Sequence, residues 1–314
     1  MDRRKHVLVT TTINAPTPAL RSYTALGHTL VVVGDRKTPD DVWIRFCKGN
    51  NNVRFLSYEY QQLRWRVLSE LIGPDCVQRR NLGFVVAVEM GADVIVTVDD
   101  DNEPLSNWGN KVGLATTCKR YEGETDVIDP LQVAGSNMWH RGFPIQRVKE
   151  RRVWCVDQKT PVVPLVQSNL WHGDPDVDAI ERWLFCAQNV RFSPDLWFTS
   201  CSYMPFNSQN TAIDRSLIQD YFCFPGIGRA DDILASYVLQ FLHADKKPFV
   251  VFGGPTVYQK RVGHVCEDDL EEELWGMSNL HYILCDSDHW FDYLPTRSME
   301  AFGAYEEAIS EAGR

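Results

Sequence analysis

No stretch of this 314-residue chain approaches the run of about 18 apolar residues that spans a membrane. The apolar stretch after the basic start MDRRK is interrupted by Thr10, Thr11, Thr12 and Asn14, which makes a poor signal peptide. No CxxC pair occurs among nine cysteines, and an odd number leaves a secreted disulfide framework one short. That pattern fits free thiols in a reducing compartment, hence a cytoplasmic protein. The chain has no GxGxxG or Walker signature, so the usual dinucleotide and P-loop readings are weak. HExxH and GxSxG are missing too, which leaves zinc protease and serine hydrolase unsupported. Eight histidines are scattered, none at ligand spacing from a cysteine. Positive charge is in deficit, with 32 Lys and Arg against 42 Asp and Glu and a formal net charge of −10. This argues against nucleic acid as the main partner, while a phosphorylated small molecule needs only a local basic patch.

What remains is an ordinary globular composition, 44% hydrophobic and 24% charged, without internal repeats or low-complexity linkers. Ten tryptophans are many for this length; they serve packing first, and an indole also stacks on a sugar face. HVLVTTTIN (6–14), LVVVGD (30–35), VRFLSY (53–58) and ADVIVTV (92–98) read as strands of parallel type. Helical spacing fills 60–71 and 77–91, the latter ending at Gly91. Strand and helix thus alternate through the first hundred residues, the pattern of an α/β sheet covered on both faces. Beyond residue 100 the signals are sparser. A hairpin is expected over 127–135, helices over 176–187, 216–222 and 230–244, a strand over 249–254, and a solvated helical face over 267–276.

The most pointed feature is the strand VIVTV running into Asp99, Asp100 and Asp101. Ligands of open α/β sheets bind at the carboxyl ends of strands, and clustered carboxylates repel unless something positive offsets them. In an extended chain Asp99 and Asp101 share one side and Asp100 points away. Such a pair suits a hard cation, Mg2+ or Mn2+, shared with a diphosphate; an exposed acidic turn is the plainer alternative. Arg79, Arg80 and Asn81 precede a helix that feeds this strand, and arginines clamp phosphate. Asp35, at another strand end, accepts from a ribose or base, or caps the next element. Further candidates are Arg141 and Arg147 in HRGFPIQR, Asp174, Asp176 and Asp178 in LWHGDPDVD, Asn210 in NTAIDR, the pair Asp231–Asp232 opening a helix, and His264.

Seven segments in order, VVVGDRKTP (31–39), VTVDDDN (96–102), HRGFPIQR (140–147), NLWHGDPDVDAI (169–180), NTAIDRSLI (210–218), RADDILASY (229–237) and QKRVGHVCEDDLEEE (259–273), resemble two related groups. These are the STELLO-type glycosyltransferases and the reversibly glycosylated polypeptides, the UDP-arabinopyranose mutases. The last segment is similar to the STELLO type. The resemblance implies a GT-A-like nucleotide-sugar fold, a mostly parallel central sheet flanked by helices. Residues 1–105 would form its nucleotide-binding half, 106–275 a sugar and acceptor half, and 276–314 a C-terminal extension. It further implies a nucleoside-diphosphate sugar donor, a small-molecule or glycan acceptor, and Mn2+ or Mg2+ on Asp101, Asp99 and His264. Thr11, Asn14, Asp35, Arg80, Asn81, Asp99, Asp100, Trp171, Asp174 and Asn210 would bind the donor, with Trp139 a second sugar-facing aromatic. Asp232, with Asp231 beside it, would take the acceptor proton, and Arg141 matches the arginine that is glycosylated in the mutase group. Glycosyl transfer leads; a pyranose–furanose mutase and a non-catalytic nucleotide-sugar binding subunit are the alternatives. A homo-oligomer is compatible with all three.

Overall fold

Strand and helix alternate up to Val98 in the computed structural model, which describes residues 4–185, 189–260 and 266–314. The strands are β1 (His6–Thr12), β2 (Thr29–Gly34), β3 (Val53–Leu56), β4 (Val94–Val98), β5 (Asn102–Pro104), β6 (Thr116–Gly123), β7 (Val153–Val162), β8 (Val166–Gly173), β9 (Trp197–Ser200), β10 (Asn210–Asp214) and β11 (Val250–Gln259). They form one sheet in the order β3-β2-β1-β4-β10-β8-β11-β9-β6-β7, with β5 paired to β11. The first four strands are parallel, in keeping with the apolar runs VLV, LVVV and VIV of β1, β2 and β4.

The expected GT-A-like, mostly parallel sheet is overturned at β10. That strand lies antiparallel to both β4 and β8, and five of the ten strand pairings in this extended mixed sheet are antiparallel. The reason is the supply of crossovers. A parallel neighbour needs a connection of a dozen or more residues, usually a helix. Between Val98 and Asp231 the described helices are as short as Pro130–Val133 and Ala179–Phe185, so the strands return in both directions.

Helix Arg80–Glu89 is the central support of the first half. Its residues from Arg80 to Val88 are all buried, because it lies between β1 and β2 on one side and helix Thr296–Ala312 on the other. Gly83 permits that approach, since a Cβ there would meet Val9 Cγ1 at 2.4 Å and Val33 Cγ2 at 2.8 Å. Gly91, at φ 70°, ends the segment as expected. The helix expected over 60–71 is two, Tyr58–Arg64 and Arg66–Ile72, broken at Trp65 with φ −127° and ψ 57°. Arg79 staples them. Its buried guanidinium donates to Gln61 Oε1 (2.8 Å), Ser69 Oγ (2.6 Å) and the Gly73 carbonyl (2.7 Å).

Other expectations fail for local reasons. In place of a hairpin at 127–135, Asp129 accepts from the Leu131 N–H (3.0 Å) and Pro130 takes the first position of a short helix. The strand at 249–254 continues through its glycines to Gln259, with an irregular register between Gly253 and Val257. The helix at 267–276 extends over Cys266–Cys285, across the boundary drawn at 275/276. It is not simply solvated: Asp269 and Glu273 are buried and hold Arg229 at 2.8 and 3.0 Å. Residues Ala301, Phe302, Tyr305 and Ile309 of the last helix join the same hydrophobic cluster as the sheet.

Candidate active site

The carboxyl ends of β1, β2 and β4 lie together because the strands are parallel, and the strand order reverses at β1, between β2 and β4. A crevice forms where the order reverses. Two adjoining cavities occupy this edge and share Thr11, Val77 and Asp100. The first, about 260 Å³, is walled by Thr11–Asn14, Val33–Asp35 and residues of the 75–79 loop. The second, about 280 Å³, opens over Asp99–Asp101 and reaches Arg141, Asp176, Arg229, Asp231 and Asp232.

Their floor is knit by short polar contacts. Thr12 Oγ1 donates to Asp100 Oδ2, and Asn14 Nδ2 reaches the same oxygen at 3.1 Å. Thr17 Oγ1 donates to the Asp100 carbonyl, and Thr38 Oγ1 to the Thr12 carbonyl at 2.7 Å. Asp35 is spent on backbone, accepting from the N–H groups of Arg36 (2.7 Å) and Cys76 (3.1 Å). It therefore clamps the 75–77 wall against β2.

The acidic triplet is a turn, not the extension of β4. The strand ends at Val98, and the Asn102 N–H returns to the Asp99 carbonyl at 3.4 Å. Alternation of sides is thereby lost, and all three carboxylates line the second cavity, Asp100 included. Arg80 donates to Asp99, to Thr97 Oγ1 (3.0 Å) and to the Ser208 carbonyl (2.7 Å). Burial works against its charge, but Asp99 more than offsets this and holds the guanidinium above its ordinary value. Arg80 is thus a brace for Asp99 before it is a phosphate clamp.

At the far end Arg141 is held on three sides. Nε faces Asp176 at 3.2 Å, one terminal nitrogen faces Asp232 at 3.0 Å, and the other donates to the Arg229 carbonyl. Burial disfavours its charge, yet Asp176 and Asp232 outweigh that and keep it protonated well above the usual range. Asp232 also accepts from the N–H and Oγ of Ser208, at 2.9 and 3.0 Å, so both its oxygens are engaged. Asp231 differs. Gln78 Nε2 donates to its Oδ2 at 3.0 Å, and burial, then the neighbouring Asp232 charge, pushes its carboxyl up to about 7.

Six carboxylates and three guanidinium groups line the second cavity. Each guanidinium is already paired: Arg80 with Asp99, Arg141 with Asp176 and Asp232, Arg229 with Asp269 and Glu273. The turn offers only oxygen donors, the preference of Mg2+ and Mn2+. Among the described residues no three carboxylate, imidazole or thiolate groups converge into a metal cage.

Several expected residues stand elsewhere. Trp171, only 1% exposed, packs edge-on against His140 and Phe192 in the core and presents no face to a sugar. Trp139 is buried with its indole N–H on Asp178. Asn81 exchanges two hydrogen bonds with the Cys223 backbone, at 2.8 and 3.0 Å. Asn210 donates to the Asn169 carbonyl and to Thr256 Oγ1, at 3.2 and 2.8 Å, joining β10 to β8 and β11. Asp174 uses its N–H on the Gln259 carbonyl (3.0 Å) and does not line either cavity. His264 lies outside the described residues. Ser208, Gln209 and Gln259 carry no motif in the sequence and reach the cavity from strand ends legible only in the folded sheet.

Fold and site define a protein with an acidic, oxygen-rich crevice at the switch point of a mixed α/β sheet. In sequence, the chain is 27% identical over 278 residues to a protein described as probable glycosyltransferase STELLO1 of Arabidopsis thaliana, covering 80% of this chain and 35% of that one. It is 25% identical over 283 residues to probable glycosyltransferase STELLO2 of the same plant, covering 82% and 36%. The resemblance to the STELLO type is therefore borne out as a distant relationship over most of the chain. The chain spans about a third of the length of these curated relatives. No family model matches it. Among solved structures, glucosyl-3-phosphoglycerate synthase from Mycobacterium tuberculosis in complex with Mn2+ and UDP-glucose is 13% identical, with a TM-score of 0.44, over 90% of this chain and 79% of that one. A mannosyltransferase from Pyrobaculum calidifontis in complex with GDP-Man and Mn2+ is 11% identical, with a TM-score of 0.34, over 100% and 88%. At these TM-scores neither a shared fold nor a shared ligand follows.

Proposed function

We propose that this protein is a metal-dependent glycosyltransferase that takes a nucleoside-diphosphate sugar and passes the sugar to an acceptor hydroxyl. The observation that carries the reading is the pair of joined cavities with the acidic turn at their junction. The nucleoside would occupy the cavity between Thr11–Asn14 and Gly34–Asp35, the diphosphate would cross Asp99–Asp101, and the sugar would lie toward Arg141 and Asp231. The names of the two plant relatives support the same class. A divalent cation held by Asp99 and Asp101 would supply the positive charge that the departing diphosphate needs.

The protein's own residues divide the remaining work. Arg80 fixes the Asp99 carboxylate, and Asp100 fixes the loop after β1. In an inverting transfer, Asp231 takes the acceptor O–H proton as the oxygen attacks the anomeric carbon and the bond to the diphosphate breaks. Its carboxyl near 7 matches the ideal for a general base at neutral pH. The geometry favours Asp231 over Asp232 for this role, since the oxygens of Asp232 already accept from Arg141 and Ser208.

The mutase reading loses support at Arg141. Glycosylation of a guanidinium nitrogen requires an unprotonated nitrogen with a free lone pair, and Arg141 is firmly protonated with all three nitrogens donating. The glycosyltransferase reading is tested by calorimetry with a panel of nucleoside diphosphates and their sugars, with and without Mn2+ or Mg2+, on wild type and Asp101→Ala. Binding of one base that requires the cation and is lost in the variant is the expected result. Absence of binding across the panel under either cation overturns the proposal.

A further inference from the structure

Strand β8 is buried along almost its whole length, yet Gln167, Ser168 and Asn169 follow one another in it. Buried polar side chains are costly unless hydrogen-bonded, so each calls for an account. Ser168 accepts from Thr211 Oγ1 at 3.0 Å, in the direction of β10. Gln167 and Asn169, two residues apart, share the opposite face. There they line a recess of about 230 Å³ with Asn110, Lys111, Asp195 and Trp197.

The recess is built rather than accidental. Gln167 Oε1 accepts from the Gly113 N–H at 2.9 Å, and its Nε2 donates to Asn169 Oδ1 at 3.1 Å. This assigns the Asn169 oxygen to Gln167 and leaves its amide hydrogens for the recess. At Gly253 an added Cβ would fall 2.2 Å from Asn169 Oδ1 and 3.2 Å from the Trp197 ring. At Gly254 it would fall 2.5 Å from the Pro194 carbonyl oxygen. Two glycines in succession, where the register of β11 is irregular, therefore let the Pro194 backbone and the indole of Trp197, the first residue of β9, approach β11 closely. The Lys111 Nζ lies over the Trp197 ring, 5.4 Å from its centroid. Among the described residues, neither Lys111 nor Asp195 makes an ion pair.

We infer that this recess binds one sugar ring of a glycan, at a place separate from the strand-end cavities. A polyol presents adjacent hydroxyls that both donate and accept, together with an apolar C–H face. Asp195 accepts, Asn169 and Lys111 donate, Asn110 does both, and the indole meets the C–H face. A volume below the roughly 300–1,000 Å³ of drug-sized sites limits the occupant to about one ring. Asp195 opposes a simple anion, and the amides oppose a purely apolar guest. The inference does not rest on the donor-site proposal: a second sugar-binding position can exist whether or not the strand-end cavities bind a nucleotide.

Saturation-transfer NMR tests it with methyl glycosides of neutral hexoses and pentoses, their short oligomers, and leucine as a zwitterionic control. Asn110 and Asp195 are exposed, so Asn110→Ala and Asp195→Ala leave the fold intact, which circular-dichroism melting verifies. The expected result is transfer to at least one sugar, unchanged by excess nucleoside diphosphate with Mn2+, and weakened about tenfold in either variant. Transfer to no sugar, transfer that survives both substitutions, displacement by nucleotide, or transfer to leucine instead each overturns the inference.

Discussion

Replacing Asp231 by asparagine should make the protein more stable at pH 8 while removing its activity. The side chain is buried, and its carboxyl rises from 3.8 to about 7. An unfolded chain binds that proton less tightly, so protonation favours the folded state. The contribution is fully present below about pH 4 and is lost as pH rises through about 7. At pH 8 the wild type must keep a buried carboxylate beside Asp232, which asparagine avoids. The full difference corresponds to on the order of 4 kcal/mol at 1.36 kcal/mol per pH unit. This is a ceiling, because Arg141 and Arg80 lower the value in opposition and would lose a partner. Asparagine also keeps an oxygen for Gln78, whose donation at 3.0 Å needs no charge. Urea unfolding at pH 4.5 and pH 8 measures the effect. A gain of about 1–4 kcal/mol at pH 8 that shrinks toward zero at pH 4.5 is expected. An equal change at both values would refute the assignment of a perturbed carboxyl to Asp231. Trading stability for a reactive group is a common cost of active sites, and wild-type donor turnover should fall away on the acid side of about pH 7, as Asp231 takes up its proton.

Arg141→Met should destabilise the fold by about 3–5 kcal/mol, since it leaves Asp176 and Asp232 buried without their shared cation; a denaturant midpoint matching wild type would count against that arrangement. Gly83→Ala should cost about 1–3 kcal/mol by forcing helix Arg80–Glu89 away from Val9 and Val33. Thermal melting reads this directly, and an unchanged midpoint would mean that the helix does not press on β1 and β2 so closely.

The first hundred residues were readable because their signals are local. Continuous Val and Ile runs, a helical interval closed by Gly91 and an acidic strand end placed β1 to β4 and the crevice among them. The tail of the VIVTV strand misled for a local reason too: the backbone turns after Val98, with the Asn102 N–H on the Asp99 carbonyl, and the turn brings all three carboxylates to one cavity. Beyond Val98 the strands are short or polar, and β6 to β10 carry no strong period. Trp171 and Asn210 look like binding residues in one dimension because tryptophan and asparagine suit sugars. Folding uses both for packing and for strand-to-strand hydrogen bonds instead.

By itself the sequence determined the α/β alternation of the first half, the strand-end carboxylates, the pair at Asp231–Asp232 and the distant kinship with the STELLO-type proteins. These are properties of residue type and spacing, which survive without knowledge of neighbours. Only the tertiary structure decided that the sheet is mixed, that Arg80 braces Asp99, that Arg141 is locked between Asp176 and Asp232, and that burial raises the Asp231 carboxyl. Each depends on burial and on partners distant in the chain, from 19 residues for Arg80–Asp99 to 153 for Gln78–Asp231, separations at which no sequence period reports contact.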